Sequence, residues 1–302
     1  RDALKTALRE IGVTEKQLNM RTAQLWQWIY VKGAPSFDGM TNLSKDFRSA
    51  LAERFTLDRP EIVTRQISAD GTRKYLLRIA GGHEVDAVYI PDTDRGTLCI
   101  SSQVGCMLDC SFCSTAQQGF NRNLSTAEII GQVWLANREL GYRPDADRIV
   151  TNVVLMGMGE PLANYRNVVP ALKILTDDFG FGLSRRRVTL STSGIVPLMD
   201  RLGQECNVAL AVSLHAPDDA LRGQSWSSAK KSAISSRAVS GPSEPWTTFS
   251  SMLAAKSARM VPGAASAGLV APIISRCFAI ASSPSRSCTI TGPEVMYVMR
   301  SL

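Results

Sequence analysis

The sequence predicts an α/β fold, a partial (β/α) barrel preceded by a small helical module and a β-hairpin segment. Three observations carry this. Between residues 96 and 222, short β-branched runs alternate with helical stretches, the pattern of a parallel sheet with right-handed crossovers. Residues 1–58 keep helical spacing. Residues 59–95 switch to strand character broken by two glycine turns.

In chain order, RDALKTALREI has apolar residues at helical spacing, and TAQLWQWIYVKG continues with Trp26, Trp28 and Tyr30 until Gly33 and Pro35 end it. SKDFRSALAERF is a third helix with Ser44 as its N-cap. Basic and aromatic residues interleave here, which fits either an RNA-contacting module or a compact bundle with Trp in its core. In the next segment Asp70-Gly71 marks a hairpin turn and Gly81-Gly82 a second. A cysteine-rich loop follows, then a helix opened by the capping box Ser125-x-x-Glu128. RIVTNVVLMGMGEP reads as a strand ending in a glycine turn, VVPALKILTDDFG as a helix, and RRRVTLSTSG as a strand. VPLMDRLGQEC is a short helix and NVALAVSLHAP a strand, so about four barrel strands are present. Polar motifs at the C-terminal ends of such strands are where α/β folds place ligands.

From residue 223 the pattern stops. Residues 223–302 hold 18 Ser and no Asp, without sustained periodicity, and are expected not to form a native fold. They also carry 8 Lys and Arg against 2 Asp and Glu, leaving 26 against 25 in residues 1–222. The net charge of +7 therefore sits almost wholly in this tail, and it is no argument for nucleic-acid binding by the rest. Hydrophobic content of 44% and charged content of 20% fit a globular protein. No apolar run is long enough for a membrane span and no export signal is evident, so a cytoplasmic, membrane-free monomer is expected. The start at Arg1 suggests a clipped or incomplete N-terminus.

Four of the seven cysteines lie in CISSQVGCMLDCSFC, at Cys99, Cys106, Cys110 and Cys113. In a reducing compartment such clusters are metal ligands or catalysts more often than disulfides. The spacing C-x3-C-x2-C of Cys106, Cys110 and Cys113 suits three irons of a [4Fe–4S] cluster with the fourth iron open. Zinc, which takes four ligands and often paired C-x2-C units, is the competing metal; a fortuitous cluster is the third alternative.

The C-x3-C-x2-C motif, with Phe112 before its last cysteine, resembles the radical S-adenosylmethionine (SAM) superfamily. Longer strings, TLCISSQVGCMLDCSFCSTAQQGFNRNL, VVLMGMGEPLANY, RRRVTLSTSG and ALAVSLHAPDDALR, are similar to the RlmN-type adenine C2 RNA methyltransferases, over residues 1–222. The resemblance implies a radical SAM type partial barrel whose Cys106, Cys110 and Cys113 hold the cluster, with SAM chelating the open iron. It places Gly159, Glu160, Ser191, Ser213, Leu214 and His215 around SAM. Cys99 matches the thiol that resolves a protein–RNA crosslink, and Asp86 stands where the family has a proton-accepting Glu. The implied activity is methylation of adenine C2 in 23S rRNA and in tRNA, through a 5′-deoxyadenosyl radical and a methylcysteine, with an electron donor such as flavodoxin. A C8-methylating relative is the near alternative; a non-catalytic Fe–S or RNA-binding remnant is the distant one.

Three departures stand out, one of them the missing Asn that the family has in a segment like NLIPFN, where it contacts SAM. The family's methyl-accepting cysteine, in a segment like AACGQ, has no counterpart, because Cys277 and Cys288 lie in unrelated surroundings. Asp86 is one methylene shorter than the family's Glu. A reading-frame shift near codon 222 accounts for the missing cysteine. With Trp226 encoded by TGG, the shifted frame around Ser225 and Ser227 can read Leu-Val, as the family does.

Overall fold

The structure, a computed structural model, describes residues 1–214, 289–291 and 296–300, the last two stretches as backbone strands. It divides into two units: Arg1–Ser101, Leu124–Gly157 and Arg166–Val188 in the first; Ser102–Asn123, Met158–Tyr165 and Thr189–Leu302 in the second.

The first unit opens with helices α1 (Asp2–Glu10), α2 (Glu15–Trp26) and α3 (Lys45–Arg54). Their core buries Leu8, Leu18, Leu25, Phe37, Met40 and Leu51. The Ser44 hydroxyl accepts from the Phe47 N–H at 3.4 Å, as its N-cap position requires. The helix predicted through Val31 instead ends in a π turn, Gln27–Val31, which rotates Tyr30 out of the α-helical register. Strands β1 (Glu61–Ile67), β2 (Arg73–Arg78) and β3 (Glu84–Pro91) pair antiparallel through the two predicted glycine turns, and β4 (Gly96–Cys99) adds antiparallel to β3.

The cysteine loop leaves from β4. Within it, β5 (Gln103–Gly105) pairs antiparallel with β6 (Phe120–Asn123) around the short helix α4 (Ser114–Gln117); these belong to the second unit. Helix α5 (Thr126–Glu139) starts with the predicted capping box and returns the chain to β7 (Asn152–Leu155), parallel to β4. This is one βαβ crossover. Residues Ile129–Ala136 of α5 are all buried, including the amide of Gln132. That amide is satisfied by the backbone of Ser101, at 2.9 Å in each direction, so α5 holds the exit from β4 in place.

Helix α6 (Tyr165–Thr176) leads to β8 (Val188–Thr192). In the second unit β8 continues through α7 (Val196–Glu205) to β9 (Ala209–Leu214), parallel to β8 with Ser191 opposite Ala211. Thus β4, β7, β8 and β9 are the four expected barrel strands, and the α/β class stands. Two further strands, β10 (Thr289–Thr291) and β11 (Met296–Arg300), are not announced by the sequence pattern; β11 runs antiparallel to β9, where a (β/α) barrel would continue parallel. The rest of the Ser-rich tail lies outside the described residues.

Candidate functional site

In the second unit the loop after β4 brings the three motif cysteines into one small cluster. Cys106 and Cys110 are buried, packed with Leu108 and Ala116, and the half-buried Cys113 sits against them. The loop closes on itself, with the Cys113 N–H donating to the Cys110 carbonyl and the Cys106 N–H to that of Gly119. None of the three is in a disulfide. Burial, with Cys106, Cys113, Glu160 and Asp109 adding like charge, pushes the Cys110 thiol up to about 12. Ionising this cluster therefore calls for positive charge, which metal ions supply. Among the described residues no three His, Cys, Asp or Glu converge as ligands of one ion do. Three buried or half-buried thiols on one loop are a donor set that fits three irons of an iron–sulfur cluster.

Glu160 is the second feature. It follows β7 in the GMGEP turn and is buried, with 3% exposure. Its Oε1 accepts from the Leu162 N–H at 3.0 Å and the Thr192 hydroxyl at 2.8 Å. Its Oε2 accepts from the Ser193 N–H at 2.9 Å and hydroxyl at 3.0 Å. Those four donors favour the carboxylate, yet burial outweighs them and raises its pKa. All four are neutral, so the charge is solvated and left for a cation to neutralise. A ligand ammonium, such as SAM carries, fits that need.

Gln103 joins the two features. Fully buried, its Oε1 accepts from the Met107 N–H of the cysteine loop at 3.2 Å and from the Glu160 N–H at 2.9 Å. Its amide donates to Asn123 Oδ1 at 2.7 Å. Gly159, at φ +97°, passes so close that a Cβ there would lie 2.5 Å from that of Gln103. Asn164 donates to the Ser102 carbonyl at 2.8 Å, and the Ser102 and Gln103 N–H groups both donate to the Met158 carbonyl.

The predicted Ser191 and Ser213 are half-buried residues of β8 and β9, and Leu214 closes β9. His215 lies outside the described residues. Sequence reasoning passed over Gln103, Thr192, Ser193 and Asn164. The signal for two of them was present, since Thr192-Ser193 stands in the STSG string from which only Ser191 was drawn.

Asp86 and Cys99 meet in the first unit. Cys99 ends β4 between Val88 of β3 and Val154 of β7. Burial pushes its thiol up to about 12, a Met156 backbone hydrogen bond opposes this, and the Asp86 charge adds to it. Asp86 pairs with Lys74 at 3.1 Å, while Glu84 pairs with Arg78 at 3.1 Å. Asp86 therefore sits on an interior rather than an edge strand, in an ion pair that is still partly exposed to solvent. The Ser101 hydroxyl donates to its backbone carbonyl at 2.6 Å.

Known proteins are similar to this chain. Residues 100–233 match the Radical SAM superfamily, and residues 1–57 match the ribosomal RNA large subunit methyltransferase N-terminal domain. The chain is 60% identical over 229 residues to the dual-specificity RNA methyltransferase RlmN of Jannaschia sp. (strain CCS1), covering 74% of this chain and 58% of that protein. It is 58% identical over 228 residues to the protein of the same name from Paracoccus denitrificans (strain Pd 1222), with the same coverage. A crystal structure of a radical SAM methyltransferase from Sphaerobacter thermophilus matches with TM-score 0.67 and 39% identity, over 76% of this chain and 65% of that one. The chain thus spans 58% of the length of the curated relatives it matches. The cysteine loop and the Glu160 turn agree with both family matches: residues 100–233 are those of the Radical SAM superfamily and residues 1–57 those of the RlmN N-terminal domain.

Proposed function

We propose that this chain carries the SAM-cleaving half of a radical SAM methyltransferase acting on adenine C2 in 23S rRNA and in tRNA. The observation that carries the reading is the Gln103 amide, which fixes the three-cysteine loop and the Glu160 turn to one another within a single unit. The family's [4Fe–4S] cluster and SAM supply one-electron cleavage chemistry when bound. Cys106, Cys110 and Cys113 are the residues that would hold the cluster. Glu160 would accept from the SAM ammonium, and the open backbone at Gly159 lets the ligand approach. Ser191, Ser213 and Leu214 are the remaining wall residues of this reading. Asp86 would take a proton from the substrate base, and the half-buried Cys99, its thiol pKa raised to about 12, would serve as resolving thiol. The reducing electron would come from a small carrier such as flavodoxin, in the cytoplasm, to a monomeric protein. Among the described residues no helix is long and apolar enough to cross a membrane.

A second reading is favoured by one specific feature. The sequence offers no AACGQ-like segment to accept a methyl group, so the chain as written would cleave SAM without methylating RNA. One experiment separates the readings. The full chain is reconstituted anaerobically with iron and sulfide, reduced, and given SAM with rRNA or tRNA. Formation of 5′-deoxyadenosine without 2-methyladenine supports a SAM-cleaving remnant; both products support the complete enzyme. Neither product, with no iron retained, rejects the cluster assignment.

A further inference from the structure

We propose that a pocket in the first unit binds a single unpaired nucleotide of an RNA strand. It lies between the turn after the π helix and the end of α5, with a volume of about 270 Å³. The inference rests on the reading that the chain acts on RNA, and it places a contact away from the cysteine loop and the Glu160 turn.

Two helix ends build the pocket. The first is the π turn Gln27–Val31, closed by Gly33 at φ +62°. A Cβ on Gly33 would lie 2.9 Å from the Trp134 Nε1, so only glycine lets this backbone settle on the indole. The second is the C-terminus of α5. There the Tyr142 N–H donates to the Asn137 carbonyl at 2.9 Å and the Gly141 N–H to that of Arg138 at 3.0 Å, with Gly141 at φ +77°. This is a Schellman closure, and it fixes Asn137, Arg138 and Tyr142 on one wall. Lys32 and Tyr30 come from the other wall.

The chemistry of the lining selects the ligand. Tyr30, Trp134 and Tyr142 offer rings, Lys32 and Arg138 offer exposed cations, and Asn137 offers an amide; no Asp or Glu is among the lining residues. The cations are already disposed on aromatic faces, with Lys32 Nζ 3.8 Å from the Trp28 ring centre and the Arg138 guanidinium 5.6 Å from that of Trp134. A planar, anionic ligand suits this lining, because a base can pack against the partly exposed Tyr142 while the exposed cations pair with its phosphate. The volume admits one nucleotide and excludes a duplex, so the fitting element is a base splayed from a single strand. A free mononucleotide shares this chemistry. The strand is favoured because Lys32 and Arg138 are exposed, where a continuing backbone can pass.

The test uses the full chain and a fluorescein-labelled single-stranded ribo-oligonucleotide, read by anisotropy, with AMP titrated separately against tryptophan fluorescence. The double variant Lys32→Ala/Arg138→Ala is expected to bind the oligonucleotide about tenfold more weakly. An equal loss of charge at Arg166→Ala/Lys173→Ala, on exposed positions of α6, should change binding by less than about twofold. Tyr142→Leu, which keeps an apolar side chain and removes the ring, serves as a second variant and should also weaken binding. Circular dichroism melting must match wild type for the variant used. Wild-type RNA affinity in all pocket variants overturns the pocket while leaving RNA recognition intact. Equal weakening in the α6 control overturns it too, as a general charge effect. AMP quenching without any effect of the variants on oligonucleotide binding makes this a free-nucleotide site and overturns the RNA assignment. No RNA binding by wild type overturns both the pocket and the functional reading.

Discussion

A carboxylate buried among neutral donors, as Glu160 is, is harder to ionise than one in water. Its pKa is raised, so its stabilising contribution is full below the ordinary value of 4.5 and is lost as the pH rises through the folded value. A cationic ligand removes that loss, so SAM should stabilise the protein more at neutral than at acidic pH. Melting temperatures with and without SAM across that range check this. Glu160→Gln would leave an amide N–H facing the Leu162 or Ser193 N–H; it should cost about 1–3 kcal/mol of stability and remove the SAM-dependent shift. Cys99 makes a separate claim at this scale. With its thiol pushed up to about 12, iodoacetamide labelling of Cys99 should be slow at neutral pH and rise between pH 9 and 12. Peptide mass spectrometry reads this directly; rapid labelling at neutral pH would contradict the raised thiol pKa. The residue-level reading from sequence was uneven for a physical reason. Cys106, Cys110, Cys113 and Glu160 stand in strings whose spacing is itself the signal. Gln103, Thr192, Ser193 and Asn164 act only because the fold brings distant segments within hydrogen-bond reach.

At the scale of elements, the turn after β7 and the cysteine loop behave as one piece held by Gln103. Gln103→Ala leaves the Glu160 and Met107 N–H groups without their acceptor, at a cost of about 1–3 kcal/mol each where water cannot replace it. Iron retained after reconstitution should fall with it, and an iron content equal to wild type would contradict the role given to this amide. Gly159→Ala combines a positive φ with a Cβ placed on that of Gln103, and it should destabilise by at least about 1 kcal/mol. Denaturant unfolding measures both. Elements with local chemical signatures were legible in advance: the Asp70-Gly71 turn, the Ser44 cap and the Ser125–Glu128 capping box all form as read. The β5–β6 pair and the π turn were not legible. Strands of three and four residues carry no usable periodicity, and a π turn costs one extra residue that the helical pattern does not mark.

On the scale of the whole molecule, the chain joins a well-formed family portion to a C-terminal region of different character. The matches to curated relatives cover 74% of this chain, and the Radical SAM match ends at residue 233. A frame shift near codon 222 and a genuine divergent tail are distinguished by resequencing codons 218 to 230. If a base is missing or added, the corrected protein should methylate RNA, whereas the chain written here should only cleave SAM. The central proposal is prior to that question: Cys106, Cys110 and Cys113 would hold the cluster, and Glu160 would accept from the SAM ammonium. The most direct measurement is the electron paramagnetic resonance spectrum of the reconstituted, reduced chain before and after SAM is added. A reduced-cluster signal that changes on adding SAM, and that does not change in Glu160→Gln, is the predicted result. No cluster signal, or one indifferent to SAM in the wild type, would contradict the account.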